Sequence, residues 1–80
     1  MALHERVEVV PSSLLKESLL TVFQSYGVLA GETVVFLFKD MGGNVETAIR
    51  YNLVNEKRFT FTYLQKQEIA EALQQRRYLQ

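Results

Sequence analysis

The chain has 80 residues, no net charge at neutral pH and no cysteine, which excludes disulfides and thiolate-bound zinc or iron–sulfur sites. With 48% hydrophobic and 22% charged residues it reads as a folded globular domain rather than a disordered segment. A chain this short buries only about 60% of the surface its unfolded form exposes, so one domain is expected and pairing with a further chain is a natural source of added stability.

Met1-Ala2-Leu3-His4-Glu5-Arg6 lacks the basic segment and apolar stretch of a signal peptide. No apolar run approaches the roughly 20 residues of a membrane span, so a cytoplasmic protein is expected. Charge is unevenly placed. Four basic and seven acidic residues leave 1–56 at −3, and five basic and two acidic residues leave 57–80 at +3.

In chain order, Val7-Glu8-Val9-Val10 is a short strand stopped by Pro11, which lacks an amide donor. Ser12 and Ser13 offer hydroxyl caps to a helix from Leu14 to Tyr26. Its stripe is Leu15, Leu19, Val22, Phe23 and Tyr26, and Gly27 stands at the C-cap position. Next comes the strand Thr33–Lys39, with Val34, Phe36 and Phe38 on one side and Val35, Leu37 and Lys39 on the other. Asp40-Met41-Gly42-Gly43-Asn44 is a turn cluster.

Residues 44–54 admit two readings. As a strand, Val45, Thr47, Ile49, Tyr51 and Leu53 face in and Glu46, Ala48, Arg50 and Asn52 face out. As a helix capped by Asn44, Val45, Ala48, Ile49 and Leu53 form a stripe, and the chain becomes an α/β fold of order β-α-β-α-β-α. The strand template is the stronger, because Thr47, Ile49 and Tyr51 favour extended chain and Asn52 interrupts the helical stripe. After Asn55-Glu56-Lys57 a further strand follows, with Phe59, Phe61 and Tyr63 inward against Arg58, Thr60 and Thr62. Thr62 and Gln65 fit a capping box for a last helix to about Tyr78, with Ile69, Ala72 and Leu73 as its stripe.

The expected fold is α+β, β-α-β-β-β-α, a small antiparallel sheet with two helices on one face. The order α-β-β-β-α over 13–79 is shared by double-stranded RNA-binding domains and several unrelated folds. The likeness stops at topology, since Gln65-Lys66-Gln67-Glu68 does not form a lysine-rich helix start.

No residue pattern supports catalysis. His4 is the only histidine and has no second ligand at useful spacing. Ser12, Ser13, Ser18 and Ser25 lack a base to take a proton. Glu68 and Glu71 share a helix face with nothing to split their pKa values. The Gly42-Gly43 loop has no following Lys-Ser/Thr, and Asp40 repels an anion. Under the α/β alternative, a small-ligand site at this loop is a third option. No enzyme activity, cofactor or metal is expected.

Two surfaces remain. If both helices cover one face, the other shows Val35, Leu37, Ala48 and Thr60 with Lys39, Glu46, Arg50 and Arg58 around them, an apolar centre in a charged rim. This makes a protein–protein interaction module, homodimeric through the open face or an edge, the expected function. On this reading Leu37→Glu yields a folded monomer. The alternative is a nucleic-acid-associated regulator contacting phosphates through Lys57, Arg58, Lys66, Arg76 and Arg77.

Overall fold

A computed structural model describes residues 5–79, with side chains described through Arg76. The order is β1 (Arg6–Pro11), a 3-10 turn (Ser12–Lys16), α1 (Leu19–Ser25), β2 (Thr33–Lys39), β3 (Val45–Asn55), β4 (Arg58–Tyr63) and α2 (Lys66–Leu79). The architecture is α+β with the β-α-β-β-β-α order that the residue pattern predicts, and residues 45–55 are extended chain rather than helix. The helical alternative is thereby set aside.

The four strands form one sheet in the order β1-β2-β3-β4. β2, β3 and β4 pair antiparallel, through contacts such as Phe36 opposite Ile49 and Tyr51 opposite Phe61. β1 lies parallel to β2, with Val7 beside Val35 and Val9 beside Leu37. The sheet is therefore mixed, which corrects the all-antiparallel expectation. The segment between β1 and β2 is long enough for the crossover that a parallel pair requires.

The helices lie on opposite faces, a second correction. Val34, Phe36 and Phe38 join Val22 and Phe23 of α1 in one core, with Val10, Ile49, Tyr51 and Leu53. Val35, Leu37, Ala48 and Val7 join Leu64 and Ala72 in another, with Ile69 and Leu73 packed against it. Alternation along a strand fixes which residues share a face but not which face a distant helix covers. Leu64 decides it. Its N–H donates to the Ala48 carbonyl at 2.9 Å, and its side chain enters the second core, so the chain leaves β4 already on that side.

Local details also shift. The first helical segment breaks at Glu17, whose backbone is extended. Ser18 then stands at the N-cap of α1, with Val22 N–H donating to its backbone carbonyl and no side-chain cap bond. The break turns Leu14 onto the core and leaves Leu15 exposed. α2 starts later than the Thr62 capping box implies. Gln65 N–H donates to Glu68 Oε1 at 2.9 Å, the return half of such a box placed three residues on. A register shift at Phe38/Lys39 sets Val45 opposite Lys39, and Val45 packs against the second core rather than the first.

One arginine ties down each side. The Arg6 guanidinium donates to the carbonyls of Tyr26 and Gly27 just past α1 and pairs with Glu8 and Glu32, where a cation suits the helix C-terminus. Arg50 pairs with Glu5 at 2.7 Å and Glu68 at 3.4 Å.

Leu37 is fully buried beneath α2, so Leu37→Ala is expected to cost about 2–5 kcal/mol in urea denaturation. Leu37→Glu is expected not to fold, because it buries an unpaired charge. A Leu37→Glu chain with native circular dichroism would contradict this placement.

Candidate functional site

The residues expected to form an open sheet face do not form one. Val35 and Leu37 are 0% exposed and Ala48 1%, all covered by α2. Arg50 is engaged by Glu5 and Glu68, which hold its pKa above the ordinary range. In turn the Gln65 N–H, with Arg50, holds the Glu68 carboxyl below its own. Lys39 ends β2, half-buried, and only Thr60 among these six is exposed. The apolar surface is covered because each face receives its own helix.

What lies open is the far side of β4. Phe61 is 55% exposed and Tyr63 59%, although their alternation with Arg58, Thr60 and Thr62 predicts that they face in. They do face the α1 side. A helix of seven residues spans only about 10 Å, and it covers β2 and the near part of β3. Phe59 is half-buried and meets Phe23 at a ring separation of 5.4 Å. From there Phe59, Phe61 and Tyr63 run outward as a row, with ring centroids 6.4 and 5.8 Å apart. Edge-on and tilted contacts of this kind stabilise aromatic pairs.

Beneath the row, Tyr51 is buried against Phe23, Phe36, Phe59 and Phe61. Its hydroxyl has no hydrogen-bond partner among the described residues. Burial, with the neighbouring Tyr63, pushes that hydroxyl up to about 12 from an ordinary 10.0.

β4 is an edge strand, and its backbone pattern can be derived. Leu53 N–H donates to the Glu32 carbonyl, and its own carbonyl accepts from Gly31 N–H, so its polar groups point toward β2. Backbone direction alternates along an antiparallel ladder. Ala48, Arg50 and Asn52 therefore serve β4, where Leu64, Thr62 and Thr60 meet them. The N–H and C=O groups of Phe59, Phe61 and Tyr63 point outward.

The two edges of the sheet are treated differently. At β1 the Arg76 guanidinium donates to the Val7 carbonyl at 2.8 Å, and the Gln75 amide donates to the Glu5 carbonyl. Pro11 closes the strand. Proline, charge and a covering element are the usual protections of a sheet edge. Phe59-Thr60-Phe61-Thr62-Tyr63 carries no charge and no proline.

Among the basic residues, Lys57 and Arg58 sit at the β3–β4 turn and Lys66 follows the opposite end of β4, roughly 20 Å away for an extended strand of this length. Arg76 is engaged by β1 and lies 3.7 Å from Glu8. The Arg77 side chain and His4 lie outside the described residues. At the Gly42-Gly43 loop, Asp40 is occupied within its own turn, accepting from Asn44 N–H at 2.9 Å. The nearby cleft, about 470 Å³, is lined by Val9, Pro11, Ser13, Lys39 and Met41 among others, and is mainly apolar. Among the described residues no cluster of His, Asp and Glu could hold a metal ion, and no helix is long and apolar enough to cross a membrane.

No protein-family model matches the chain, and no curated protein or solved structure matches it.

With the folded-state pKa of Tyr51 raised from 10.0 to about 12, its contribution to stability is complete below pH 10 and is lost as pH rises through the folded value. Tyr51→Phe is expected to remove that part of the alkaline decline. Because the hydroxyl is unpartnered, the variant should match or exceed wild-type stability at neutral pH by up to about 1 kcal/mol. Denaturation curves at pH 7 and through the alkaline range check both, and a neutral-pH loss above about 1 kcal/mol would contradict the unpartnered hydroxyl.

Proposed function

We propose that the chain is a small non-enzymatic protein–protein interaction module, that its docking element is the β4 edge with the aromatic row beside it, and that it self-associates there. The observation that supports this most is the unprotected strand Phe59–Tyr63, with outward backbone groups and half-exposed aromatic rings. Exposed edges of this kind accept an added strand, whose main-chain hydrogen bonds supply affinity while side-chain contacts supply selectivity. Of the two contacts expected for a homodimer, the sheet face is covered by α2 and the sheet edge is left.

Exposed aromatics can also stack on nucleic acid bases, which supports a second reading, a nucleic-acid-associated regulator. Such binding needs cations beside the stacking platform. The row itself has none: Lys57 and Arg58 stand at one end of β4, Lys66 follows the other, and Arg76 is engaged at β1.

Light scattering is expected to give twice the chain mass of 9.3 kDa, and Phe61→Lys, which places a charge at an exposed position of the edge, is expected to give a folded chain of single mass. A wild-type monomer at millimolar concentration would overturn the reading. In mobility-shift assays at low salt, neither duplex nor single-stranded probes are expected to move. A shift that weakens with added salt would favour the second reading instead.

A further inference from the structure

Resting on the self-association just proposed, we infer that the occupant of the β4 edge is a second copy of this chain, added antiparallel with Phe61 on the twofold axis, so that two four-stranded sheets become one continuous sheet. An interface between identical copies must match itself after half a turn. Phe59-Thr60-Phe61-Thr62-Tyr63 reads aromatic, threonine, aromatic, threonine, aromatic in either direction, with Phe61 at its centre.

The backbone pattern selects the register. Only Phe59, Phe61 and Tyr63 offer outward N–H and C=O groups, so hydrogen-bonded pairs across the axis must join these residues to one another. With Phe61 opposite Phe61, Phe59 lies opposite Tyr63 of the second copy and Tyr63 opposite Phe59, and every outward residue is paired. Sliding by two residues either way leaves one of them unpaired on each copy. Sliding by one sets outward groups against residues whose polar groups already serve β3, and it would throw the aromatic row onto the threonine side.

Side chains agree with that register. On the α1 side, aromatic faces aromatic along the whole contact. On the α2 side, Thr60 stands opposite Thr62 of the second copy, a pairing that stabilises antiparallel strands. Charge is also compatible. Arg58 falls opposite Leu64 of the second copy rather than its own equivalent, residues 59–63 hold no charge, and the net charge of zero removes overall repulsion between copies. Growth stops at two, because the outer side of β1 is closed by Gln75, Arg76 and Pro11.

The cysteine-free sequence makes the test direct. Thr60→Cys and Thr62→Cys are exposed substitutions that can be made in separate full-length chains and mixed under mild oxidation. Opposite residues of a non-hydrogen-bonded pair lie about 4.5 Å apart at Cα, within disulfide reach, whereas their diagonal neighbours lie about 7–8 Å apart. A disulfide-linked dimer is expected from the mixture and little from either variant alone. A Thr60→Cys homodimer, or a Thr62→Cys homodimer, would shift the axis by one residue and overturn the register while leaving the β4 contact standing. A doubled mass by light scattering with no cross-link in any combination would overturn β4 as the contact. A single mass in every sample would overturn the self-association on which the inference rests.

Discussion

Burial of β2 from both sides governs the rest of this structure. Val34 through Phe38 are five consecutive residues with 0% exposure, which a strand attains only when each face of the sheet is covered. Each helix is therefore assigned to its own side, α1 over Phe36 and Phe38, α2 over Val35 and Leu37. Among the described residues there is no third α-helix to extend over β4. An exposed aromatic row is the geometric consequence of placing two helices, one of them seven residues long, on a sheet of four strands.

The same allocation explains the contrast between the edges. α2 reaches β1, where Gln75 and Arg76 take up carbonyls and Arg76 lies near Glu8. Its first turn is held by Glu68, shared between the Gln65 N–H and Arg50. These partly exposed ion pairs contribute little individually. Together they tie α2 to β3 through Arg50 and to β1 through Arg76. A neutral aromatic strand without proline is costly to leave open in water, and pairing it would both bury the rings and satisfy the outward amides.

Much of the fold was legible because its signals are local. Alternation in 45–53 and 59–63, the glycine-rich turn at 42–43 and Gly27 after α1 located strands, turns and a helix end. At Gly27 (φ 65°) a left-handed backbone lets Val28 N–H donate back to the Phe23 carbonyl. Two non-local facts were not legible. The pleat groups Val35 with Leu37 but does not say what covers them, and Lys39 at the end of that set suggested water. The uninterrupted run Val34–Phe38 was the contrary signal. It fits a strand buried on both faces, but it does not say which helix covers which face. Edge status was equally hidden. Phe61 and Tyr63 have the pattern of core residues, and their exposure follows from the place of β4 at the sheet edge together with the shortness of α1.

If the outward backbone groups of Phe59, Phe61 and Tyr63 are the binding element, association must protect them. Residue-resolved amide hydrogen exchange at rising protein concentration tests it most directly. Slow exchange is expected at Thr60 and Thr62 at every concentration, because β3 already holds them, and protection at Phe59, Phe61 and Tyr63 is expected to grow with concentration. Fast exchange at those three amides in concentrated solution, unchanged from the dilute sample, would contradict it.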